Sequence, residues 1–380
     1  MSVAATQHRG LGADPAAFQQ DWTLTVVLRT TGGGPVLTEE PVSDADLAEA
    51  RSEAWLNGFL RRGHPDVPLE AVEPQMAPVF SDQRCIGFAL RAQAPGSEAT
   101  VHTFGITCLA PVAQRASTRL LAGGVLGESD TYSYELKSKQ TTASPEAGAA
   151  PSADAGGMQI TTRRAPLSYA SIALSPLLAS ARTVGVIGDA IMPVLFSESA
   201  HEKSRHYARK GADGIPPVET GSILIGELAV CPESGEMFVV VHDAIEVADA
   251  EQREFSLIPS SRTWTRVQSV LNGITGADPG GTKRLVGQSH GHNFVLDGEP
   301  CARCATAVEC GRTTVFVSAA DRTFMRTVFA GQPFALCWIA GSNARGEEVA
   351  TLFTLRAGVL QPRGYHVIES FPTQSPTHHL

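Results

Sequence analysis

The stretch "GQSHGHNF", Gly287 to Phe294, sets two histidines one residue apart inside a segment that otherwise reads as a β-strand. Residues i and i+2 of a strand project to the same side, so His290 and His292 can present two imidazoles from one rigid edge. With 11 histidines in 380 residues, about a third of one such spacing is expected by chance. The pair therefore gains meaning only from its company. A catalytic zinc takes three protein ligands and leaves a fourth position for water, so the question is whether neighbouring elements supply the third.

A candidate lies downstream in "VFVSAADRTF", Val315 to Phe324. The pattern predicts a strand ending near Ser318 and a helix starting there, with Asp321 facing inward from the first turn. The same Ser-x-x-Asp spacing is also ordinary helix capping, with Ser318 accepting a backbone N–H and Asp321 favouring the positive helix end. Upstream, "PPVETGSILIGEL" places Glu219 just ahead of a strand rich in Ile and Leu, followed by Gly221 and Gly226. Glu227, further along that strand, is a second candidate base, and its place beside Leu228 reads as solvent-facing.

Taken in order, Glu219, His290-Gly-His292 and Ser318-Ala-Ala-Asp321 resemble the signature of the JAMM (MPN-plus) metalloprotease family. The resemblance covers roughly the C-terminal half. It departs at Gly291 and Asn293, where the family usually has Ser and Pro, at Gln288 and Ser289, and in a longer connection over residues 293–317. It implies an MPN-like, cytidine-deaminase-like three-layer α/β domain with a mixed sheet. It implies Zn2+ held by His290, His292 and Asp321, with Glu219 as proton carrier and Ser318 as donor to the developing oxyanion. The implied activity is hydrolysis of an amide bond after the tail of a ubiquitin-like or sulfur-carrier protein. A catalytically silent MPN scaffold and a small-amide metallohydrolase are the competing readings.

The connection 293–317 has chemistry of its own. Cys301, Cys304 and Cys310 form C-x2-C-x5-C, and C-x2-C is zinc-ligand spacing. A structural site would need a fourth ligand such as Asp297, Cys231, Cys337 or a distant His; unligated thiols or a redox-labile pair are the alternatives.

Composition bounds the rest. At 43% apolar residues the chain can bury a sizeable core, and its length suggests two domains. A net charge of −9 without a basic run disfavours a nucleic-acid partner. No apolar stretch reaches the roughly 18 residues that cross a bilayer, the first residues lack a secretory pattern, and seven cysteines form no dense disulfide framework. A reducing cytoplasmic setting is the expectation.

"KQTTASPEAGAAPSADAGG", Lys139 to Gly157, is too poor in large apolar residues to build a core. The expected organisation is an α+β domain over 21–138, a linker over 139–160 and the metalloprotease-like domain over 163–370. The first domain shows strands at "WTLTVVLRT", "RCIGFALRAQ", "ATVHTFGITCL" and "DTYSYELKSK", a helix opened by Ser43 or Asp44, and no catalytic constellation. In the second, helices are expected over "ESAHEKSRHYARK", over "SRTWTRVQSVLNG" with Gly273 as stop, and after Asp321. "TTVFVS" is expected as a strand.

Overall fold

Period-two alternation in the first part of the chain and helix–strand alternation in the second build two large sheets, beside a two-stranded one. A computed structural model describes residues 13–58, 74–93, 99–127, 130–141, 168–187, 192–212, 217–248, 250–253, 256–276, 282–292, 294, 301–329, 332–356 and 358–371. Two compact units result, the first carrying the elements up to Thr141 and the second those from Ser168, while Gly358 and Val359 group with the first.

The first unit runs β1 (Asp21–Thr30), β2 (Val36–Pro41), α1 (Asp44–Gly58), β3 (Gln75–Ser81), β4 (Arg84–Ala92), β5 (Thr100–Gly105), α2 (Ala110–Ala122) and β6 (Tyr132–Thr141). Among the described residues its sheet has the order β2-β1-β6-β4-β3, with β5 on β4, and every pair is antiparallel. Leu24, Val26 and Leu28 of β1 pack with Leu47 of α1 and Val112 and Ala116 of α2. Ser43 opens α1, exchanging hydrogen bonds with Asp46 as a capping pair. Lys139 to Thr141, expected as linker, are instead the last residues of β6, paired to Asp21–Thr23. The remainder of that segment lies outside the described residues.

The second unit opens with β7 (Ala170–Ser171), α3 (Leu174–Ser180), β8 (Arg182–Val184), β9 (Val194–Ser197), α4 (Glu198–Arg209), β10 (Thr220–Val230) and β11 (Met237–Glu246). It continues with β12 (Ala250–Arg253), β13 (Ser256–Pro259), α5 (Ser261–Gly276), β14 (Arg284–Gly291) and α6 (Ala319–Val328). It closes on β15 (Leu336–Ser342), β16 (Glu348–Arg356), β17 (Val359–Arg363) and β18 (Tyr365–Ile368). The main sheet has the order β17-β16-β15-β14-β10-β11-β9-β18-β8, with β7 on β10. It is mixed: β10 is antiparallel to β11 and β14, whereas β14/β15 and β9/β11 are parallel. The chain is thus a mixed α/β protein, and no described helix is long and apolar enough to cross a membrane.

Helices cover both faces of this sheet. Opposite residues of an antiparallel pair share a face, and Gly221 faces His290 while Thr220 faces Gly291. On the Thr220 side lies α4, whose Ala208 carbonyl accepts from Thr220 Oγ1. On the His290 side lie α5 and α6, where Ile223 and Ile225 of β10 pack with Val267, Trp264 and Phe324. Met325 and Phe329 fix α6 against Cys337 and Ile339 of β15.

Two expected features differ. Residues 313–318 form no strand, only an isolated bridge between Thr313 and Asn343. Thr314 Oγ1 accepts from Ser342 N–H, and Thr313 Oγ1 accepts from Val315 N–H. Side chains thereby take backbone partners that a ladder would need. Gly273 does not stop α5, which continues to Gly276. An interior glycine costs about 1 kcal/mol, and the packing of Val267, Val270 and Leu271 outweighs it.

Candidate metal centre

Glu219 immediately precedes β10, and β10 lies beside β14. Continuing the Thr220–Gly291 register by one residue sets Glu219 opposite His292. Alternation then puts Glu219, His290 and His292 on the face covered by α6, whose first turn carries Asp321. His292 lies one residue past the end of β14, yet its N–H donates to the Ala340 carbonyl at 2.9 Å, which extends the rigid edge. Two glycines permit the close approach. A Cβ on Gly221 would lie 2.0 Å from the Ser289 carbonyl oxygen, and one on Gly291 would lie 2.1 Å from that of Ala208.

The ligand atoms of His290, His292 and Asp321 all lie within 4.8 Å of one another. His290 Nε2 is 3.2 Å from His292 Nε2 and 3.1 Å from Asp321 Oδ1, while His292 Nε2 is 3.7 Å from Asp321 Oδ2. Donors about 2.0–2.1 Å from a tetrahedral ion stand about 3.3–3.4 Å apart, so the cluster has the size of a metal site. All three residues are buried, as is Glu219. His292 Nδ1 lies 2.9 Å from the Thr314 carbonyl oxygen. A carbonyl only accepts, so Nδ1 carries the proton, and the neutral form of His292 turns its Nε2 lone pair toward the cluster. These residues can hold a metal ion.

The two readings of Ser-x-x-Asp coexist. Ser318 Oγ accepts from the Asp321 N–H at 3.1 Å, and Asp321 Oδ2 accepts from the Ser318 N–H at 2.7 Å, a complete capping box. Oδ1 is left to face His290.

Burial raises the Glu219 carboxyl above its ordinary range; His290 and His292 pull it down in part, and Asp321 adds to the rise. Burial would likewise raise Asp321, but its bonds to His290 and His292 overcome this and hold it well below the carboxylate range. Burial would lower His292, yet Asp321, the Thr314 carbonyl and Glu219 raise it.

No family model and no curated protein matches this chain.

Glu227 belongs elsewhere. Its side chain is 1% exposed rather than solvent-facing. Lys283 Nζ donates to it, Thr282 Oγ1 donates at 2.6 Å, and His242 Nε2 lies 2.5 Å away. Eight residues along a strand span about 26 Å, which separates Glu227 from the His290 cluster and removes it as a base there. Pairing of β10 with β11 passes from Asp243 to Val241. His242 is skipped by this bulge, and its ring reaches Glu227.

Two contributors carried no sequence signal. Thr314 acts through a backbone carbonyl, to which side-chain identity gives no clue. Phe316, 55% exposed, sets its ring edge-on to His292 at 4.6 Å. The proposed fourth ligands Cys231 and Cys337 lie in separate apolar clusters, and Asp297 lies outside the described residues.

Proposed function

We propose that this chain is a zinc-dependent peptidase or isopeptidase, a hydrolase of amide bonds built on an MPN-like three-layer domain. One observation carries the reading: Glu219, His290, His292 and Asp321, from three separated parts of the sequence, meet on one buried face. A zinc ion held by His290, His292 and Asp321 would act as a Lewis acid and lower the pKa of a water towards neutrality.

The chain's own residues supply the remaining chemistry. Glu219 Oε1 is 3.9 Å from His292 Nε2, placed to take a proton from water at the cluster and pass it to the leaving amine. Burial, which raises its pKa, favours the first half of that transfer, uptake of the proton. Ser318 Oγ uses a lone pair for the cap, so its O–H remains to donate to the carbonyl oxygen as charge builds there. Thr314 keeps His292 in the tautomer that points inward. The substrate in this reading is a protein or peptide with an extended tail, of ubiquitin-like or sulfur-carrier type, in the reducing cytoplasm.

The test combines metal analysis with cleavage of a ubiquitin-like fusion. Wild type should cleave. Glu219→Gln should retain metal while turnover falls by about 10²–10⁴, and His290→Ala should lose the metal. Binding of the fusion without turnover, unchanged by either substitution, would instead identify a scaffold.

A further inference from the structure

Residues Cys301 to Cys310 form no helix or strand, and Cys310 is the one residue of the ten that is buried. Ala302, Arg303, Ala305, Thr306, Val308 and Glu309 are all exposed. Ordering ten residues costs conformational entropy that this segment does not recover by apolar burial. What the segment brings together is sulfur. The Sγ atoms of Cys301, Cys304 and Cys310 lie within 4.8 Å of one another, with Cys301 and Cys304 3.6 Å apart. A disulfide holds its sulfurs at about 2.0 Å. Two thiolates on one tetrahedral zinc, at about 2.3 Å each, stand about 3.8 Å apart.

The backbone is folded around the sulfurs. The Cys304 N–H donates to the Cys301 carbonyl at 3.0 Å, closing the C-x2-C turn. The Cys301 N–H donates to Cys310 Sγ at 3.4 Å, so the far ligand is held by the near one. Further turns, Thr306 to Glu309 and Ala307 to Cys310, deliver Cys310 to the cluster.

We infer that Cys301, Cys304 and Cys310 form a second metal site, which takes one zinc ion as three thiolates and fastens the loop leading to Thr314 and Ser318. Soft thiolate donors select zinc over hard cations. Binding releases the three thiol protons to solvent, with no change of oxidation state. Among the described residues no fourth side chain joins the cluster. The thiol site stands without the hydrolase reading; only its bearing on His292, through Thr314 four residues after Cys310, rests on that reading.

The full chain loaded with cobalt(II) in place of zinc tests this. Sulfur-to-cobalt charge-transfer absorption should appear, be lost in Cys304→Ser and persist in Asp321→Ala. Persistence in Asp321→Ala supports the thiol site whatever becomes of the histidine cluster. Should Cys304→Ser fail to fold, the unaltered zinc-loaded chain provides the second readout. Three of its seven thiols should react with a thiol reagent at least tenfold faster once a chelator is added. No charge-transfer band in wild type, a Cys301–Cys304 disulfide in its place, or thiol reactivity indifferent to chelator would overturn the inference.

Discussion

At Asp321 one carboxylate is divided between two duties, Oδ2 closing the helix cap and Oδ1 facing His290. Ser318 accepts the cap through its oxygen, a bond that does not use its O–H. Ser318→Ala should therefore cost about 1 kcal/mol of stability and, separately, lower kcat about 10²-fold with KM little changed. Urea titration and steady-state kinetics read the two effects apart; an intact kcat would confine Ser318 to capping. Glu227 gives a second residue-scale expectation. Burial opposes its charge, but His242, Lys283 and Thr282 hold its carboxyl at about 2, from an ordinary 4.5. A depressed folded-state value means stability that is present above pH 4.5 and is lost as the pH falls toward 2. The contribution is about 3 kcal/mol. Glu227→Gln should be less stable than wild type by that order at pH 7, and the gap should close in acid. A gap that stays constant from pH 7 to pH 3 would show that the network does not hold the charge.

Among the elements, β10 and β14 do most to place the centre, and their closeness depends on Gly221. A methyl group there would meet the Ser289 carbonyl at 2.0 Å, so Gly221→Ala should destabilise the chain by about 3 kcal/mol and weaken metal binding, because Glu219 and His290 flank that contact. Calorimetric metal titration beside urea unfolding checks both; unaltered binding would mean that the strands can part without moving the ligands. The elements differ in how readable they were. β10, β14 and α4 announce themselves through apolar runs and caps. α2 was not expected: its buried face is Val112, Ala113, Ala116 and Ser117, mostly small residues without a side-chain cap, although Pro111 stands at the helix start. The loop 311–318 misled because Thr and Val favour strands, while its threonine hydroxyls captured the backbone partners a strand needs.

For the molecule as a whole, the two large sheets and the mixed α/β character follow from alternating patterns legible along most of the chain. That Glu219, His290, His292 and Asp321 come together was legible from the order and spacing of their motifs, each set near the end of an apolar element. The Glu227 network was hidden, since it depends on irregular pairing that brings His242, Thr282 and Lys283 together across β10, β11 and β14. Three buried donors at metal-ligand separations form the centre of the account. Anomalous diffraction at the zinc edge from crystals of the zinc-loaded chain tests it most directly. A peak about 2.0–2.1 Å from His290 Nε2 and His292 Nε2 and beside the Asp321 carboxylate is the predicted result. Density showing those three side chains hydrogen-bonded only to one another, with no anomalous signal between them, would contradict it.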